Sequence, residues 1–542
     1  MEINKSKVEC ICLILFMFIF FFYMSNFDSG LLIHKDGAVN FAAGDMFTFA
    51  AYTDLARYEK DITKQPPAMC HGEEDCVNFF SMHGANIGAQ VSHFMNIESY
   101  DSVIHLNLLF IMLSIFIFYY MLRKLSVWIA LLSLPITLLL FKFPFSYTLN
   151  WGMSLSNYNL LFVMVSLLCV YYIKEKYIWI VLGIVNGAGV LSHAREMLMF
   201  NLSICIYFLI RTIKDKKIDW VFIKYYLYSI PITMLFMFRH LPVLSVFKGS
   251  ASTTNYGVNA WLAWMPPNKF HHVFFHQFGF YQWIILLSVI LIIFLIIKKN
   301  DKLFDLISSF SLLFLFSGFF SILGNKTTQI RHLFPILLMP LIGILIYYCY
   351  DLFKDRIKKE HFHVLLFVAI LILTIFVHQP TKQSEYSFSD PYTWEGMKWI
   401  RSNVGNTDKV LVLYGDRHTQ ITMFLLMRKT HFFVPQKFFV EDVQSGILKT
   451  NVTTEWGHVH FFMKQYKWNE LEVIPMPISI KHVKESICSY NYLYVDKVSK
   501  NQYITNYIQV LINKLNVENQ FVPVFTNELV LVLKNNNVSN RC

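Results

Sequence analysis

Charge is scarce in this chain. Asp, Glu, Lys and Arg make up 15% of its 542 residues, against about 25% in ordinary soluble domains. Apolar residues reach 55%, and mean hydropathy is +0.43. This excludes a single water-soluble globule and implies repeated membrane crossing. Nucleotide signatures are missing as well: there is no GxxxxGK[ST] loop, no GxGxxG turn and no GxSxG elbow. A cytosolic nucleotide-sugar site or an ATP-driven pump therefore has no support. No period of 20 to 50 residues marks a repeat architecture. Cysteines number nine, and Cys10, Cys12, Cys169, Cys205 and Cys349 lie inside apolar runs, where they read as small buried hydrophobes. Cys70 with Cys76, and Cys488 with Cys542, are the ones that could be bridged.

The net charge of +11 lies mostly in short runs between apolar segments, a topological distribution that argues against a nucleic-acid partner. The start MEINKSK followed by Val8 to Met24 has no small-x-small cleavage site and reads as a retained first helix with its basic end in the cytoplasm. A polar loop, about 25–102, follows on the outer side. Ten further apolar segments are expected at 103–122, 125–141, 157–173, 177–192, 196–212, 219–238, 281–298, 303–323, 333–353 and 362–378. Each is nearly long enough to cross about 30 Å of hydrocarbon once modest tilt and snorkelling ends are allowed. In this N-inside, C-outside arrangement of eleven helices, the basic connections all fall inside: Arg123 and Lys124; Lys174 and Lys176; Arg211 to Lys217; Lys298 to Lys302; Lys354 to Lys359. Residues 177–192 and 196–212 are kept as two helices joined by SHARE, because fusing them would reverse the later connections.

From about 379 to 542 the composition becomes that of a water-soluble domain. Thr393 to Val404 reads as an amphipathic helix and Lys409 to Asp416 as a buried strand. HFFVP, YLYVD at 492–496, FVPVF and ELVLVLK read as further strands, and Tyr503 to Leu515 as a helix. The fold class is therefore a polytopic α-helical membrane domain (1–378) followed by an extracytoplasmic α/β domain (379–542).

Candidate chemistry lies at outer helix ends. LLIHKDGAVNFAAGDMF carries Asp36 and Asp45 beside the first apolar run. Carboxylates there are costly unless a cavity, counter-ion or substrate accepts them; otherwise they are solvated loop or cap residues. Cations on the outer side are exceptions to the positive-inside rule. They are Arg195, with His193 and Glu196 in SHARE; Arg239, followed by His240; and Arg331 and His332, which open RHLFPILLMP. A guanidinium fork suits phosphate, although each arginine alone could equally cap a helix or meet a headgroup. The loop at 239–280 interleaves Trp261, Trp264, Phe270, Phe274 and Phe275 with Lys269, His271, His272 and His276, a headgroup-level pattern. Contact with lipid phosphate suits Lys269, His271 and His272, and membrane lipids are thus expected partners. The HHxxxH spacing lacks a carboxylate second shell, so these histidines are not read as a metal site. Cys70 and Cys76 enclose HGEED, where a small disulfide loop is chemically permitted; Glu73 and Glu74 are solvated or meet a metal or acceptor.

Three features together, the acidic motif IHKDG, the late helix opening RHLFPILLMP and the entry WEGMKWIRSNVGNTDKVLVLYGD, resemble the GT-C superfamily of integral-membrane glycosyltransferases. The similarity is to bacterial relatives of the protein O-mannosyltransferases and lipid A aminoarabinose transferases. It implies a polyprenyl-phosphate or polyprenyl-diphosphate sugar donor, an envelope glycan, lipid or protein acceptor, and a bacterial plasma membrane with the site facing the periplasm or exterior. It carries the general base onto Asp36. Gly37 stands where the family has a second acid, so that role falls to Asp45 or is absent; His332 replaces the usual Tyr, leaving Arg331. No cofactor is required by the pattern, and a divalent cation, Mg or Mn, is compatible with it. The competing expectations are a polysaccharide polymerase or ligase, and a lipid-linked glycan transporter or flippase.

Overall fold

The computed structural model describes residues 5–25, 83–141, 155–237, 281–322, 359–377, 391–405, 408–413, 430–433, 451–455, 482–497 and 520–539, with isolated positions in 50–57, 343–348 and 506–513. The chain divides into two compact units. The first comprises 1–27, 81–84 and 104–381; the second comprises 28–80, 85–103 and 382–542.

The first unit is helical. Its elements are α1 (Lys5–Ser25), most of α3 (Ser99–Leu125), α4 (Val127–Phe141), α5 (Leu155–Tyr171), α6 (Ile178–Asp215), α7 (Trp220–Met237), α8 (Tyr281–Lys298), α9 (Lys302–Ile322) and α10 (Lys359–Val377). Helix α2 (His83–Met95) falls in the first polar loop, where no helix was expected. Among the described residues, one helix, Ser99–Leu125, is by itself long and apolar enough to cross a membrane; shorter apolar helices include Leu160–Tyr171, Ile178–Val190 and Trp220–Phe236. The helix starts follow local chemistry. Asp219 Oδ1 accepts from Phe222 N at 3.0 Å, and Asp301 Oδ1 from Leu303 N and Phe304 N at 2.8 and 3.0 Å, satisfying amide groups that the first turns of α7 and α9 leave over.

Helix α6 is continuously helical in backbone over 38 residues, yet it is not straight. The Asn186 and Asn201 side-chain amides hydrogen-bond at 3.4 and 3.5 Å, whereas 15 residues of straight helix would separate them by about 22 Å. Helix α7 confirms the fold-back. Gly183 and Gly187 meet Ile232 and Phe236, so the first arm runs parallel to α7. Asn201 meets Tyr226, and Tyr207 meets Phe222, so the second arm runs antiparallel. The two helices expected at 177–192 and 196–212 are these arms; SHARE is a helical bend between them and not a loop.

Gly183 allows the first arm its close approach. A Cβ there would lie 2.7 Å from Ile232 Cβ and 2.8 Å from the Ser229 carbonyl oxygen, and a backbone atom cannot swing aside. Gly183→Ala should destabilise the unit by about 1–3 kcal/mol, read as a lower melting temperature of the detergent-solubilised chain. An unchanged melting point would mean the arm and α7 are not this close.

The basic connections gather at one end. Lys124 bonds Tyr172, Lys174 pairs with Asp219 at 2.6 Å, and Lys214 donates to the Lys299 carbonyl at 2.6 Å. Arg211 pairs with Asp305 at 2.9 Å, and Lys299 lies 5.0 Å from the Tyr348 ring centroid. Glu9, near the start of α1, accepts from Tyr119 at 2.6 Å and pairs with Arg123 near the end of α3. Asp305 is fully buried, tolerable because Arg211 and Lys214 both reach it.

The second unit holds helix α11 (Pro391–Asn403) and strands β1 (Lys409–Leu413), β2 (Thr430–Phe433), β3 (Asn451–Glu455), β4 (His482–Ser486), β5 (Tyr492–Asp496), β6 (Phe521–Thr526) and β7 (Val530–Asn535). Sheet order is β4-β3-β2-β1-β5-β7-β6. β1 pairs parallel with β2 and β5, and the remaining neighbours are antiparallel. β5 is buried at all five positions, the pattern of a strand covered on both faces. Strands β3 and β4 were not anticipated, because NVTTE and HVKES carry too few apolar residues to register. Helix α11 buries Thr393, Trp394, Gly396, Met397 and Ile400, one helical stripe, and a Cβ on Gly396 would meet Val530 Cγ1 at 2.7 Å. Pro523 is tolerated in β6 because that strand is a sheet edge.

Candidate functional site

Of the sequence-derived candidates, Asp36, Asp45, Arg239, Lys269, His271, His272, Arg331, His332, Cys70 and Cys76 lie outside the described residues. His193, Arg195 and Glu196 lie on described helical backbone at the α6 bend. The antiparallel arms place this bend at the end of the first unit opposite the cation-rich connections. Because the first arm and α7 are parallel, the same end receives the C-terminus of α7, two residues before Arg239. The helix directions thus bring the SHARE bend and the C-terminus of α7 to one level.

About 11 Å below the bend, counting half of the 15 residues between Asn186 and Asn201 at 1.5 Å each, lies a polar layer that the apolar runs concealed. Asn201 Nδ2 donates to the Met197 carbonyl at 2.6 Å, and the Tyr226 hydroxyl donates to Asn201 Oδ1. Asn186 is 6% exposed. Interhelical bonds of this kind are worth about 0.6–2 kcal/mol each in an apolar bundle and hold helices in register. A polar residue in each of two adjacent runs was the available signal, and nothing local showed that they face each other.

The second unit contains a buried ionic cluster that sequence reasoning missed. Asp54 is fully buried. Its Oδ1 accepts from Ser99 Oγ at 3.0 Å and from Arg401 Nη2 of α11, while Glu98 Oε2 lies 3.9 Å from the same guanidinium nitrogen. Arg57 donates to the Ile97 carbonyl at 3.0 Å, and Tyr100 packs edge-on to Trp394 with centroids 5.6 Å apart. Three segments far apart in sequence, near 54, 99 and 401, therefore meet at one carboxylate. Its Oδ2 has no hydrogen-bond partner among the described residues.

Cys488 is disulfide-bonded, whereas Cys10, Cys12, Cys169 and Cys205 are free. Among the described residues, no three His, Cys, Asp or Glu side chains are grouped to hold a metal ion.

No protein-family profile and no curated protein sequence matches the chain. Solved structures do. The archaeal oligosaccharyltransferase AglB from Archaeoglobus fulgidus, in complex with an inhibitory peptide and a dolichol-phosphate, superposes with a TM-score of 0.54 at 9% identity over 79% of this chain. ArnT from Cupriavidus metallidurans, bound to undecaprenyl phosphate, superposes with a TM-score of 0.51 at 10% identity over 98% of both chains. The chain shares the fold of these two proteins. The chain spans 65% of the AglB chain and 98% of the ArnT chain. At 9–10% identity the likeness concerns the fold.

Proposed function

We propose that this chain is a membrane glycosyltransferase that moves a sugar from a polyprenyl-phosphate or polyprenyl-diphosphate carrier to an envelope glycan, lipid or protein acceptor. The single observation that carries this reading is the GT-C fold, found along 98% of the chain in a structure bound to undecaprenyl phosphate. In this reading residues 1–378 form an eleven-helix catalytic domain and 379–542 an extracytoplasmic α/β domain, in a bacterial plasma membrane with the site facing outward. Two features support that sidedness. The cationic connections share one end of the helical unit, as the positive-inside rule asks of cytoplasmic loops, and Cys488 is disulfide-bonded, as suits an oxidising compartment.

In the proposed chemistry Asp36 takes or orients the proton of an acceptor hydroxyl as its oxygen attacks the anomeric carbon. The bond to the carrier phosphate breaks, the phosphate leaves as an anion, and direct displacement inverts the anomeric centre. Arg195, Arg239 and Arg331 offset the charge developing on that phosphate by charge-assisted bonds. His193, Glu196, Lys269, His271, His272 and His332 belong to the donor-binding surroundings, and Asp45 is the second acid.

The test is the purified chain incubated with a panel of polyprenyl-phosphate sugars and a membrane-glycan extract. Formation of a glycosidic bond with at least one donor is expected, and Arg331→Ala should lower kcat/KM for the donor, kcat included, because the charge it offsets develops in the transition state. Movement of the donor across a vesicle bilayer without any new bond would overturn the enzyme reading in favour of transport.

A further inference from the structure

The second unit carries a cleft unrelated to the residues assigned above. It opens between α11 and edge strand β6, has a volume of about 530 Å³, and is lined by Tyr392, Glu395, Lys398, Trp399, Asn403 and Phe525. That volume is within the roughly 300–1,000 Å³ of small-molecule sites. Trp399 and Phe525 form one wall, with ring centroids 5.8 Å apart and planes inclined by 32°, and both are half-buried. Glu395 and Lys398 are exposed on the same helix. The Glu395 carboxylate is held by Asn527, whose Nδ2 donates to Glu395 Oε2 at 3.1 Å and to the Tyr392 carbonyl at 2.9 Å.

We propose that this cleft binds a neutral or weakly charged oligosaccharide, the glycan acceptor or a segment of it. The proposal rests on the glycosyltransferase reading for its biological sense and on the cleft for its chemistry. A pyranose presents an apolar C–H face and an edge of hydroxyls. An aromatic wall takes the face, while a carboxylate, an ammonium and an amide spaced along the rim take hydroxyls as acceptors and donors. The competing occupants fit less well. A strand from a protein partner would have to extend the sheet at β6, where Pro523 lacks the needed N–H. A headgroup-facing surface would favour cations around its aromatic rings, yet here an exposed carboxylate shares the rim.

The test uses the full chain in detergent without donor, so its result is independent of the transfer assay. Linear gluco-, manno-, galacto- and N-acetylglucosamine oligomers of about four to six units are titrated by calorimetry, a length chosen to fill a cleft of this class. Binding of at least one is expected. Trp399→Ala and Phe525→Ala should weaken it about tenfold, the equivalent of 1.4 kcal/mol. Ser402→Tyr, which adds a ring at an exposed lining position without removing a packed one, should weaken it comparably and guards against misfolding of the truncated variants. In transfer to an oligomeric acceptor the same variants should raise the acceptor KM and spare kcat. Failure of all oligomers to bind at millimolar concentration, or undiminished binding by all three variants, overturns the assignment. Loss of adsorption to phosphatidylglycerol vesicles with sugar binding intact would instead identify a membrane-facing surface, and would overturn it too.

Discussion

Asp36→Asn is expected to lower sugar transfer by about 10²–10⁴-fold, the usual contribution of a positioned general base, while expression, membrane insertion and melting temperature stay those of the parent chain. The substitution keeps size and hydrogen-bonding capacity but removes the basic oxygen, so an acceptor hydroxyl would have to attack without losing its proton to the enzyme. Asp45→Asn is the matched control: a second acid near the same helix end should affect the rate less, because the resemblance carries the base onto IHKDG and not onto GDMF. Transfer is measured with the donor found by the carrier panel, as product per enzyme at saturating acceptor. Full activity in Asp36→Asn would remove this residue from the reaction. A comparable loss in Asp45→Asn would move the base along the loop.

Arg401→Ala is expected to destabilise the second unit by about 3–5 kcal/mol, because removing one partner of a buried ion pair strands the other. Asp54 is 0% exposed, and of its partners only Ser99 Oγ, a neutral donor at 3.0 Å, would remain among the described residues. Glu98 would lose its nearby cation as well. For a domain of this size such a loss corresponds to a fall in melting temperature on the order of 10 °C, with earlier protease cleavage in the C-terminal segment. The double variant Asp54→Asn with Arg401→Met should recover much of the loss, since replacing both charges removes the stranded carboxylate. A double variant no better than Arg401→Ala would show that the guanidinium acts mainly through packing.

Some of this organisation could be read directly from residues. YLYVD at 492–496 was recognisable because a strand buried on both faces needs an unbroken apolar run, and Thr393 to Val404 because one helical stripe carries its apolar residues. The helix at residues 83–95 was not recognisable: HGANIGAQVSHFM lies within a polar loop and mixes small and polar residues. Strands β3 and β4 escaped for the related reason that polar strands at a sheet margin derive their structure from pairing, not from composition. The candidate site was legible only as residue types at helix ends. The level shared by the SHARE bend and the end of α7 required helix directions, which came from the contacts of Gly183, Gly187, Asn201 and Tyr207.

Composition and the spacing of apolar runs carry the order of a helical segment followed by a sheet-forming one, and the placement of cations between the apolar runs. These are properties of composition and short periodicity, which every local stretch carries on its own. The tertiary structure folds residues 178–215 into two arms, joins Asn186, Asn201 and Tyr226 in a part-buried polar layer, and closes Arg401 on Asp54 across 347 positions. It also ordered the sheet as β4-β3-β2-β1-β5-β7-β6. Each of those depends on pairing between distant segments. A buried polar group selects its partner by geometry and by the penalty of being left alone, and neither is written in the residues beside it.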